Sequence, residues 1–198
     1  MINLDIFKLS SFYSLSNFES HDVLKEKLLH QISLADNVPM NWKDKYYDDN
    51  IHRCDWDLGE DFNRTFVKEF LPPLYDHLKE IGKAFSLSEI VLRQIWYQQY
   101  KTGDLHGWHN HAGCQFTGVY YLDQPQDAPK TQIITPLDEE VITIDFKEGD
   151  ILIMPSYIIH TSQKNTSDKI KTIISFNFDW KDIFSESLLK YNKHLTEF

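Results

Sequence analysis

The 198-residue sequence has few cysteines, glycines and prolines and is short of positive charge. Its two cysteines, Cys54 and Cys114, stand far apart and form neither a CxxC redox pair nor a zinc framework, so a reducing, cytoplasmic compartment is the expectation. Seven glycines and seven prolines exclude collagen-like and low-complexity architectures. Twenty Lys and Arg against 30 Asp and Glu leave a formal net charge of −10. That balance argues against a direct grip on nucleic acid, which needs clustered positive charge. No apolar run approaches the ~20 residues that cross a bilayer, so no membrane association is expected. Met1 to Leu15 carries Asp5 and Lys8 and has neither the basic start nor the apolar stretch of a secretory signal. What is present is 41% hydrophobic and 14% aromatic residues, enough for a substantial core, and one domain over residues 1–198 is the expectation. Five of the seven glycines fall between Gly103 and Gly149, and that stretch also holds His106, His109 and His111.

Residues 1–89 read as mostly helical. From Ser20 to Ala35, Leu24, Leu28 and Ile32 recur every fourth residue, and Ser20 can cap the start. Asp61 to Phe85 repeats the pattern with Phe62, Phe66 and Phe70, then Leu74, Leu78 and Ile81, and Pro72-Pro73 is expected to kink or split that helix. Asn37 to Glu60 reads as an irregular loop bearing Trp42, Tyr46, Tyr47 and Trp56. From Ile90 to about residue 180 the period changes to two, with Ile, Val, Thr, Tyr and Phe dominant. Strands are expected at Ile90–Tyr100, Phe116–Leu122, Thr131–Thr135, Val141–Phe146, Ile151–Met154 and Ile170–Phe178, with a helical tail over 181–198. Short strands joined by Gly- and Pro-bearing turns, preceded by helices, indicate a mainly β jelly roll with helices packed on one sheet. A plain β-sandwich without a pocket fits the strand pattern equally well.

In an extended chain, residues i and i+2 share a face, so His109 and His111 project together if Trp108–Ala112 is extended. Taken alone, the pair fits half a metal site or two surface histidines on a polar loop. The stretch from Gly149 to His160 reads as a turn, a buried strand, a Pro155-Ser156 bend and an emergent histidine, which a jelly roll places across the barrel from the first pair. Lys171 then opens the alternation Lys171, Ile173, Ser175, Asn177, one face of an otherwise apolar strand. A lysine inside a barrel is costly without a charged partner, and an anionic small molecule supplies one; otherwise Lys171 snorkels to the rim.

Five segments, Trp96–Tyr100, His106–His111, Thr117–Leu122, Gly149–His160 and Lys171–Asn177, resemble the iron(II)- and 2-oxoglutarate-dependent oxygenases of the double-stranded β-helix fold. The likeness is to a prolyl 4-hydroxylase-like branch of bacterial and phage proteins and covers roughly residues 90–180. It implies that His109 and His160 are iron ligands, with His111 at the position where the family carries a carboxylate. Lys171 stands where the family's basic residue binds the distal carboxylate of 2-oxoglutarate. Tyr100 and Tyr121 resemble the tyrosines that bond the same carboxylate, and Ser175 and Asn177 are assigned to the pocket lining. Asp104 is the alternative carboxylate ligand. His106 is the candidate acid or base on the substrate side, or a support for its loop. Trp96, Trp108 and Phe116 are pocket walls or plain core.

The implied activity is hydroxylation of a C–H bond in a small-molecule or peptidyl substrate, using dioxygen and releasing succinate and CO₂. Two rivals share the histidines: a cupin-type three-histidine metal dioxygenase without an oxoacid, and a non-catalytic jelly-roll binding module. Neither accounts for Lys171. The substrate and oligomeric state are not legible.

Overall fold

The structure is a computed structural model and describes residues 11–37, 50–84, 87 and 89–181. The described residues form ten strands and two α-helices, in the order β1 (Ser14–Asn17), α1 (His21–Leu34), β2 (Arg53–Cys54), α2 (Thr65–Lys83), β3 (Ile90–Tyr100), β4 (His106–His109), β5 (Phe116–Asp123), β6 (Thr131–Ile134), β7 (Val141–Thr143), β8 (Asp150–Pro155), β9 (His160–Ser162) and β10 (Lys171–Trp180). A six-stranded sheet in the order β1-β8-β5-β10-β3-β2 faces a four-stranded sheet in the order β4-β9-β6-β7. This is the expected jelly roll, with every pairing antiparallel. Among the described residues no helix is long and apolar enough to cross a membrane.

Period-two patterning splits the interior into two cores. Ile95 and Tyr97 of β3, Tyr120 and Leu122 of β5, Ile151 and Ile153 of β8, and Ile174, Phe176 and Phe178 of β10 turn outward against the helices. There they meet Leu24, Leu28 and Ile32 of α1 and Phe66, Phe70, Leu74 and Leu78 of α2, the residues that the i, i+4 spacing singled out. Each such side chain contributes on the order of 1.5–3 kcal/mol by leaving water. The intervening residues, including Tyr100, Val119, Tyr121, Leu152, Met154 and Ile173, form the second core between the sheets. Gly118 marks how tightly the first core closes, because a Cβ there would stand 2.2 Å from the Phe176 ring.

Several local expectations are corrected. Helix α2 is one continuous helix through Pro72 and Pro73, so of the expected kink or split the split does not occur. Pro72 is exposed, and so is Lys68, whose carbonyl loses its intrahelical donor; on that face water can replace the missing N–H. Ser20 occupies the N-cap position of α1 but makes no side-chain cap bond. The strand expected over Val141–Phe146 stops at Thr143, with Val141, Ile142 and Thr143 exposed at the sheet edge and only Ile144 and Phe146 turned inward. Strands β1, β2, β4 and β9 were not anticipated as such, being too short to carry a period. Residues 38–49 of the aromatic loop and 182–198 of the expected tail lie outside the described residues.

Candidate metal centre

Strand β4 pairs with β9 so that His109 sits directly opposite His160. The third imidazole is therefore a cross-strand neighbour in the same sheet, not a group facing the first pair across the barrel. His111 lies two residues beyond β4, and its backbone N–H donates to the Ser156 carbonyl at 2.9 Å. The Ser156 hydroxyl donates to the Cys114 carbonyl at 2.6 Å, so the Pro155-Ser156 bend fixes the loop that carries His111. One nitrogen from each of His109, His111 and His160 lies within 4.8 Å of the other two, the only such cluster of potential ligands among the described residues.

Hydrogen bonds define which nitrogens are available. His109 Nδ1 is 2.8 Å from the Gly107 carbonyl and His160 Nδ1 is 3.0 Å from the Ile158 carbonyl. A carbonyl only accepts, so both Nδ1 atoms carry the proton and both Nε2 atoms keep a lone pair for a metal. His111 Nε2 is buried with no hydrogen-bond partner, an orphan that a metal ion would satisfy. Burial lowers the His160 pKa well below its ordinary value and that of His111 to about 3, with nearby His109 adding to both shifts and Asn177 opposing the second. Neutral imidazoles are what a transition-metal ion requires, and three of them suit iron(II), nickel or zinc. The residues present therefore fit a metal.

Asp104 does not join them. Its carboxylate accepts from Asn50 Nδ2 at 2.8 Å and from the Lys101 backbone N–H at 2.9 Å, closing the turn before β4. His106 stacks on His109 with ring centroids 3.7 Å apart, and its Nδ1 lies 3.3 Å from the Gln98 amide nitrogen. Gln98 Oε1 in turn accepts from the Ser175 hydroxyl at 3.3 Å. With the amide nitrogen toward it, His106 Nδ1 is the acceptor and the proton sits on Nε2, the opposite tautomer to His109 and His160. Burial, then His109 and His111, push the His106 pKa well down, so the ring is neutral.

The cavity at the three histidines is also lined by Trp96, Tyr100, His106, Lys171 and Ser175. Lys171 is 1% exposed. Its Nζ donates to Ser162 Oγ at 3.2 Å and stands 5.7 Å from the Tyr100 ring centroid; among the described residues no carboxylate pairs with it. Burial, reinforced by Lys130, lowers its pKa to about 8. The lysine thus points inward and does not snorkel. Tyr121 lies beneath the cavity wall, stacked on Phe146, and donates to Thr131 Oγ1 at 2.9 Å; Thr131 is the residue that reaches the cavity. Asn177 lines a separate groove along Ala112, Gly113 and Cys114, and its amide donates to Gln94 Oε1. Of the three candidate wall aromatics only Trp96 lines the cavity: Phe116 belongs to the helix-side core and Trp108 is exposed.

Sequence reading missed Gln98, Ser162, Thr131 and Trp56. Gln98 shares a face with Trp96 and Tyr100 at i±2, a signal that was there to find. Trp56 stacks on Trp96 at 5.5 Å and Trp96 on His111 at 5.8 Å, a column that needs the tertiary fold to exist.

The site therefore combines a jelly-roll core, three clustered histidines on and beside the four-stranded sheet, and a buried lysine on β10 of the six-stranded sheet. No protein-family model and no curated protein matches the sequence. Solved structures do share the fold. The chain is similar to a prolyl-4-hydroxylase from Pseudomonas putida (13% identity, 84% of this chain and 91% of that one, TM-score 0.59). It is also similar to HygX from Streptomyces hygroscopicus with nickel and 2-oxoglutarate bound (9%, 85% and 82%, 0.61). A third is the non-heme alpha-ketoglutarate-dependent epimerase SnoN of nogalamycin biosynthesis (11%, 84% and 75%, 0.63). The chain shares its fold with these proteins.

Proposed function

We propose that this protein is an iron(II)- and 2-oxoglutarate-dependent oxygenase that hydroxylates a C–H bond of a peptidyl or small-molecule substrate. The balanced reaction consumes substrate, 2-oxoglutarate and dioxygen and gives hydroxylated product, succinate and CO₂. The observation that carries the reading is the buried Lys171, with no carboxylate partner among the described residues, beside the three-histidine cluster. A buried ammonium without a counter-charge costs several kcal/mol, and the carboxylate of a bound dianionic oxoacid would remove that cost.

Iron(II) at this site would supply dioxygen activation coupled to decarboxylation of the oxoacid. The chain's own residues do the rest. His109, His111 and His160 would hold the metal through imidazole nitrogens, two of them oriented by backbone carbonyls. Lys171 anchors the distal carboxylate as a point charge, with Ser162 directing its ammonium. Trp96, braced by Trp56, covers the His111 ring and excludes water from that side. His106 offers an Nε2–H donor beside the ligands, held in that tautomer by Gln98. With three neutral ligands and no carboxylate the metal site is one unit more positive than the family pattern, which favours an anionic cosubstrate.

Anaerobic addition of iron(II) and then 2-oxoglutarate tests this. A visible charge-transfer band of a chelated oxoacid, followed by succinate formation on admitting air, is expected. Iron binding with no band and no succinate would sink the oxoacid assignment and favour the three-histidine dioxygenase.

A further inference from the structure

A groove of about 400 Å³, larger than the cavity at the histidines, lies at the edge of the barrel. Phe12, Tyr13, Leu137 and Ile142 wall it over a floor of Met154 and Ile158. Eleven large apolar side chains are exposed among the described residues: these four wall residues are among them, Val141 adjoins Ile142, and Tyr157 and Ile159 flank Ile158 of the floor. So concentrated an apolar surface marks a binding face. The groove runs beside β7, which ends its sheet and, among the described residues, pairs only with β6. The Glu140 carbonyl and the Ile144 N–H bond inward to Thr135 and Thr131. Peptide groups alternate along a strand, so those of Val141 and Thr143 face outward. Asp138 is the one charged residue in the groove wall, and Glu139 and Glu140 follow it in a turn fixed by Thr135. None of the three acids has an ion-pair partner among the described residues.

We propose that this groove and the free edge of β7 bind an extended peptide segment that alternates apolar and basic side chains, added as a fifth strand to the four-stranded sheet. The backbone edge supplies hydrogen bonds, the groove takes the apolar side chains, and Asp138, Glu139 and Glu140 select the basic ones. Charge decides against a second copy as the occupant. Antiparallel pairing of two β7 edges would bring the acidic turn of one copy toward the exposed Asp145 of the other, in chains of net charge −10. Ile158 in the groove floor also gives the carbonyl that orients His160. The docking site goes beyond the oxygenase reading and does not depend on it.

The test is fluorescence anisotropy on the full-length protein with a labelled short peptide alternating lysine with isoleucine and valine, and a counterpart with glutamate for lysine. The lysine peptide is expected to bind about tenfold or more tighter, and the advantage to shrink with salt. Ile142→Asp, on an exposed position, should weaken binding about tenfold with an unchanged thermal melt, and the pair Glu139→Lys, Glu140→Lys should reverse the charge preference. Equal affinity for both peptides, no binding of either, or indifference to Ile142→Asp would overturn the proposal. So would a concentration-dependent dimer that Ile142→Asp dissolves, since that assigns the edge to a second copy. Because the readout is binding, failure here leaves the charge-transfer test of the oxygenase untouched.

Discussion

Alternate residues of β10 meet different surroundings. Ile174, Phe176, Phe178 and Trp180 press outward into the helix-side core, whereas Lys171, Ile173 and Ser175 face inward, toward the second sheet and the histidines, and Asn177 on the same side lines a separate groove. All ten residues of the strand are buried. One face is closed by apolar contact that needs nothing further; the other keeps an unpaired cation and a chain of polar groups out of water. Burial on the first face stabilises the fold, and burial on the second holds costly groups ready for a ligand. Substitutions on the two faces should therefore fail in different ways.

The largest effect is expected at the metal. His160→Ala removes a ligand and should abolish stoichiometric iron uptake, read as metal content after anaerobic reconstitution, while the helix-side core stays intact by circular dichroism. Full iron loading in that variant would dismiss the three-histidine site. On the opposite face, Phe176→Ala should cost about 3–5 kcal/mol in urea unfolding, because the ring fills the space over Gly118 that nothing else can enter. Protein that remains folded should still bind iron.

This division was half legible in the sequence. Period two along Lys171–Asn177 put the polar face of β10 in view, and the i, i+4 leucines and phenylalanines showed which helix faces it would oppose. Spacing brought His109 and His111 to one face, but their reading as metal ligands came from the resemblance of the surrounding segments to the oxygenases. What stayed hidden depends on pairing between distant strands: the placement of His160 opposite His109, the stacking of Trp56 on Trp96, and the diversion of Asp104 into its own turn. Asn177 shares the face of Lys171, yet strand length carries it past His111 into another groove, a distinction that alternation cannot make.

Lys171 sharpens the contrast further. Lys171→Met keeps the volume and removes the charge, so 2-oxoglutarate should bind about a hundredfold more weakly, ~2.7 kcal/mol, without loss of thermal stability. Its titration gives an independent check. The buried ammonium releases its proton near pH 8, against an ordinary value of 10.5. Between those values the unfolded chain binds the extra proton, so wild-type stability should rise with pH across that window, by about 3 kcal/mol at most. The rise should vanish in Lys171→Met, and iron(II) with 2-oxoglutarate should flatten it in the wild type by holding the proton on. An identical alkaline profile in wild type and variant would mean that the lysine is not buried as an unpaired cation.

The smallest effect separates the polar face from a merely tolerated one. Ser175→Ala deletes one neutral hydrogen bond and should cost only about 0.5–1.5 kcal/mol. Its consequence lies further along the chain of contacts. The Ser175 hydroxyl donates to Gln98 Oε1, which turns the Gln98 amide toward His106 Nδ1 and leaves the His106 proton on Nε2. Without Ser175, Gln98 can reverse its amide, and His106 then shares its proton between both nitrogens. Long-range proton–nitrogen correlation on labelled histidine should show a single Nε2–H tautomer for His106 in the wild type and a mixture in Ser175→Ala, with iron content unchanged. If the tautomer is the same in both, Ser175 serves packing on this face as Phe176 does on the other, and the donor role of His106 loses its support.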